Sequence, residues 1–137
     1  MIDFAELERR NAPLNAFVDW DRAAAFGEGP LTGVTLGIKS NLAVAGLPWT
    51  GGMGLRRHIV AERDAVVVAR LRAAGAAILG TLNMHEAALG ATTDNAFYGR
   101  THNPHRIGHT PGGSSGGSGA AVAAGLCDAA QIGRAHV

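Results

Sequence analysis

The stretch HTPGGSSGGSGAAVAAG, residues 109–125, sets a glycine- and serine-dense segment directly against an alanine-rich apolar run. Alanine favours helix, whereas glycine loses more conformational freedom on ordering than any other residue. The two fit together if the glycines form an ordered turn with backbone angles that other residues avoid. Three readings compete. A flexible linker joins two finished domains, and few residues follow this one. A phosphate cradle uses the N–H groups of a glycine loop that opens a helix. The P-loop pattern GxxxxGK[ST] is absent, however, because the nearest lysine lies far upstream. In the third reading a serine among glycines is held in a directed pose for catalysis, and such a serine needs a base.

The composition supplies a candidate base. Of twelve basic residues eleven are arginine, and the only lysine is Lys39. Lysine, unlike arginine, can lose its proton near neutral pH when it is desolvated. Lysine is also a known alternative to histidine beside a nucleophilic serine.

The remaining totals restrict the class. Hydrophobic residues make up 47% and charged residues 17%, the balance of a globular chain. A net charge of +1 argues against a nucleic-acid or anionic-membrane partner. Cys127 is the only cysteine, so an internal disulfide is excluded and a small buried thiol is expected. No apolar run is long enough to span a membrane. A cytoplasmic location is the expectation.

Along the chain, residues 3–11 read as a short amphipathic helix and NAFVDW as a strand. VTLGIK alternates and is rich in branched residues, which predicts a strand ending at Lys39. Asp64 is placed to cap a helix over AVVVARLRAAG, with Val67, Leu71 and Ala74 on one face and Gly75 closing it. AAILG reads as a short buried strand, and NMHEAALG as a two-turn helix capped by Asn83. Residues 91–113 carry no period, and structureless loops of that length in compact domains are usually functional. The alternation of strands and helices predicts an α/β fold.

GIKSNLAVAGLPWTGG, ILGTLNMHEAALG, FYGRTHNP and PGGSSGGSGAAVAAG, in this order, resemble the amidase signature family over residues 31–130 or so. The resemblance implies a partial amidase-signature fold, a mixed β-sheet with helices on both faces. It also implies a Ser–cis-Ser–Lys triad, in which Lys39 is the base, Ser114 the bridging serine, and the peptide between Gly113 and Ser114 is cis. It implies hydrolysis of a linear amide through an acyl-enzyme, a small-molecule amide substrate, no cofactor and no metal, with a homodimer among the expected assemblies. The A subunit of the tRNA-dependent amidotransferase and a non-catalytic binding domain of the same fold are the rival readings.

The sequence departs from the family in two places. Ser40 follows the lysine where aspartate is usual. The family's nucleophilic serine and its oxyanion loop fall just past residue 137, so the 137-residue chain is expected to be inactive. QIGRAHV breaks with the alanine-rich segment before it, so residues 1–130 are read as amidase domain and 131–137 as a non-native tail. His102, His105 and His109 lie in a loop without acidic or cysteine partners, a weak basis for a metal site. Asp94 and Glu86 are better suited to a loop hydrogen bond and a helix first turn than to base catalysis. Finally, VTLGIK and AAILG are expected to keep at least one unpaired edge.

Overall fold

The computed structural model describes residues 1–133. The first helix, α1 (Phe4–Asn11), starts where Asp3 accepts the Glu6 N–H at 3.0 Å, and Arg9 and Arg10 occupy its last turn. Both features suit the helix dipole. Strand β1 (Phe17–Trp20) follows, then β2 (Thr35–Lys39). Helix α2 (Val66–Ala73) carries the chain across to β3 (Ala77–Leu82). A two-residue ribbon, β4 (Asp94–Asn95) and β5 (Gly99–Arg100), lies within the loop that the sequence left without a period. Helix α3 (Gly116–Ala123) and strand β6 (Ala129–Gln131) complete the described chain.

The main sheet has the order β1-β3-β2-β6. Strand β1 runs antiparallel to β3, while β3 and β6 both run parallel to β2, so the sheet is mixed as expected. The expectation of an unpaired edge on β2 or β3 is corrected by this order. Each has a neighbour on both sides, and the edges belong to β1 and to the three-residue β6. Gln131, the first residue of the expected tail, closes β6, while residues 134–137 lie outside the described residues.

Two cores flank the sheet. Adjacent side chains on a strand point to opposite faces, and Ile78 and Leu79 of β3 divide accordingly. Leu79, Leu82 and Phe17 pack with Ala120 and Ala121 of α3, and Leu7 of α1 joins them. On the other face Leu36, Ile38 and Ile78 pack against Val68 of α2. Full burial of side chains of this size stabilises by about 1.5–3 kcal/mol each. Among the described residues no helix is long and apolar enough to cross a membrane.

Two local expectations need correction. Asp64 is not the cap of α2, because Ala65 holds that position and Asp64 sits one residue too early. Its carboxylate instead accepts from the Ala45 N–H at 2.7 Å and from Arg72 Nε at 3.0 Å, which ties the preceding loop to the helix. Val68 is the fully buried residue of α2, with Val67 and Leu71 only partly covered. Gly75 does close the helix, at φ +97°, where its N–H donates to Arg72 O and the next N–H, of Ala76, to Leu71 O.

NMHEAALG is the second correction. It contains a single 3-10 turn, Glu86–Ala88, with Ala87 at φ +50°. Ala88 and Leu89 make its i→i−3 bonds, to His85 O and Glu86 O, while His85 donates to Ser114 O and Ala87 to Gly51 O. Asn83 does not cap it either. Its side-chain N–H groups donate to Gly99 O and Thr101 Oγ1.

Candidate active site at the end of strand β2

Lys39 is the last residue of β2 and is wholly buried, the largest side chain to be so among the described residues. Its Nζ donates to Ser114 Oγ at 2.7 Å. The two residues are 75 apart in sequence, so the fold brings them together. The distance falls inside the range a proton-transfer pair requires. Nζ also donates to Ser115 Oγ at 2.7 Å. Ser115 is not among the site residues expected from sequence. By position Ser115 is the N-cap residue of α3, yet in the structure its hydroxyl makes no capping bond and turns to Lys39 instead.

The peptide between Gly113 and Ser114 is cis. Ser114 is buried, and its carbonyl accepts the His85 N–H at 3.0 Å. Thr93 holds both flanks of this peptide. Its Oγ1 donates to Gly112 O at 2.8 Å and accepts from the Gly116 N–H at 3.0 Å. Thr93 is fully buried at φ +52°, a rare conformation for a β-branched residue.

The start of α3 is pressed against the end of β3. The Gly117 N–H donates to Asn83 O at 3.1 Å, and a Cβ on Gly117 would stand 2.4 Å from that oxygen. Only glycine permits so close a backbone approach here. Asn95 ties two further loops together, donating from Nδ2 to Gly52 O and Met84 O, both at 2.9 Å. The Gly51 N–H in turn donates to Ser40 O at 2.9 Å, immediately after the lysine. Thr93, Asn83 and Asn95 do not stand out by sequence as site residues. They are polar residues at or beside short connecting segments, and only their burial marks them.

The structure also locates the other candidates. Asp94 is exposed and pairs with Arg100 at 3.2 Å, and Glu86 opens the 3-10 turn. His102 Nδ1 accepts the Gly108 N–H at 3.1 Å. Among the described residues no group of three or more histidine, cysteine or acidic side chains could hold a metal ion. Cys127 is buried, and burial pushes its thiol up to about 11.

A buried lysine amine bonded to two serine hydroxyls at the end of a mixed α/β sheet is thus the cluster on which the fold converges. The Amidase family model matches residues 10–133, and the chain belongs to that family. Among its relatives is the A subunit of the glutamyl-tRNA(Gln) amidotransferase of Methanospirillum hungatei, 45% identical over 117 residues, or 85% of this chain and 27% of that protein. The indoleacetamide hydrolase of Pseudomonas savastanoi is 42% identical over 129 residues, 88% of this chain and 28% of that protein. Among solved structures, a 6-aminohexanoate cyclic dimer hydrolase complexed with substrate matches with a TM-score of 0.84 at 34% identity, over 93% of this chain and 28% of that one. The chain thus spans about a quarter of the length of the curated relatives it matches.

Proposed function

We propose that the whole protein hydrolyses the C–N bond of a linear amide through a serine acyl-enzyme, with Lys39 as base and Ser114 as proton bridge. The observation that carries this reading is the 2.7 Å contact between the wholly buried Lys39 Nζ and Ser114 Oγ. Burial favours the neutral amine that a general base must be. Neutral Lys39 takes the Ser114 proton while Ser114 takes the proton of a nucleophilic serine supplied beyond residue 137. The freed oxygen attacks the amide carbon. As the C–N bond breaks, the proton returns through Ser114 to the leaving amine, and water then cleaves the acyl-enzyme. The oxyanion donors also come from beyond residue 137, so residues 1–137 alone are expected to release no amine from any amide.

The test is Lys39→Arg in the full-length protein. Guanidinium stays protonated, so turnover is expected to vanish although the charge is kept. A variant with near wild-type rate and an unchanged melting profile refutes the base role.

A second reading has its own support. The kinship with amidotransferase A subunits is as strong as that with the hydrolases. In that role the protein releases ammonia from an amide donor and passes it to a partner. Assaying the isolated full-length protein separates the two: amine release without any partner favours the hydrolase, and release only after partner subunits are added favours the amidotransferase. A non-catalytic binding domain releases none in either case.

A further inference from the structure

A cleft of about 310 Å³ is lined by segments that neighbour the lysine–serine pair in sequence or through hydrogen bonds. Asn41, two residues after Lys39, lines one side, and Ala87 and Ala88, which follow the His85 bonded to Ser114, line another. Trp49, Met53 and Arg56 complete the wall that matters here. The Trp49 ring is fixed by its Nε1–H, which donates to Asn41 O at 2.9 Å. The Arg56 guanidinium carbon lies over that ring, 4.9 Å from its centroid, and Arg56 Nε donates to Trp49 O at 3.3 Å. The guanidinium is therefore anchored at its face and at one nitrogen, and its outer edge is left for another acceptor.

That edge meets no acidic side chain among the described residues. Arg9, Arg22, Arg72 and Arg100 make ion pairs, and Arg56 is one of the other described arginines, which make none. No described acidic residue lines the cleft. A planar guanidinium on an aromatic face, beside thioether and methyl groups, is arranged to receive a carboxylate two-pronged.

We propose that Arg56 selects amide substrates whose acyl part ends in a carboxylate, with the carboxylate on Arg56 and the intervening carbon skeleton along Trp49 and Met53. The inference rests on the reading that the Lys39–Ser114 pair faces the reacting amide. The test uses the full-length protein with succinamate, adipamate and terephthalamate, each compared with its neutral methyl ester. Wild type is expected to prefer at least one acid over its ester by about tenfold or more in kcat/KM, as a charge-assisted bidentate pair allows. Arg56→Met is expected to bring that ratio near one through KM with kcat retained, and Arg56→Lys to give an intermediate ratio. No preference in wild type, or a preference that survives in Arg56→Met, overturns the proposal. If no amide is turned over, calorimetric titration with terephthalate decides. Binding that Arg56→Met abolishes upholds the carboxylate site while the hydrolase reading fails, and absence of binding to wild type overturns the site as well.

Discussion

Thr93→Val removes one hydroxyl and little else, since valine matches threonine in shape and is branched at the same carbon. The hydroxyl is fully buried and serves both Gly112 O and the Gly116 N–H. Gly116 is itself buried, so its N–H loses its partner without access to water, at a cost of about 1–3 kcal/mol. Gly112 is partly exposed, so its carbonyl can turn to solvent at little cost. The expected loss is therefore about 2 kcal/mol, read from the denaturant midpoint of the full-length protein. Turnover should fall further than stability implies, because Ser114 sits between the two released groups, and a displacement of about 1 Å can cost on the order of 100-fold in rate. Thr92→Val is the control. Thr92 is exposed, and its hydroxyl only approaches His85 Nδ1 at 3.3 Å. A Thr93→Val variant that matches Thr92→Val in both midpoint and kcat would show that Thr93 does not hold the serine loop.

Gly117→Ala is expected to destabilise by about 1–3 kcal/mol, as overpacking does, because the new methyl meets Asn83 backbone oxygen and nitrogen at 2.4 and 2.6 Å. Calorimetry checks this against Gly119→Ala, where nothing lies within 4 Å and no such loss is expected. Cys127 predicts an alkaline limit. Its thiol is raised from an ordinary 9.0 to about 11, chiefly by burial, so the unfolded chain ionises first. The stability it contributes is complete below pH 9.0 and is lost as the pH rises towards about 11. Melting curves across that window should show a slope that Cys127→Ala removes, and an identical slope in the variant counts against burial as the cause.

Those elements of the fold that the sequence reveals are the ones whose periodicity is set by local burial. Strand β2 is legible from its branched apolar residues, Leu36 and Ile38, and the Gly75 turn from bonds made to its own helix end. Strand β6 is different. Ala129–Gln131 has no branched or aromatic residue, and it is a strand because the open side of β2 offers partners to Ala129, Ala130 and Gln131. NMHEAALG fails in the opposite direction. It has helical composition, but Ser114 and Gly51 claim the His85 and Ala87 N–H groups, so tertiary pairing overrides propensity.

The candidate site divides along the same line. Lys39 stands out because composition isolates it, and Ser114 because glycines surround it. The residues that hold them are not visible in this way, since a threonine or asparagine in an irregular loop is ordinary sequence. Thr93, Asn83 and Asn95 acquire their roles from acceptors and donors 11 to 43 residues away, and burial makes each of those bonds costly to lose. Ser115 completes the argument. Position alone makes it a helix cap, and only the reach of a buried Nζ to 2.7 Å turns its hydroxyl towards Lys39. With both serines on one nitrogen, the lysine is held from two sides, and its direction is fixed by the turn that the glycines make.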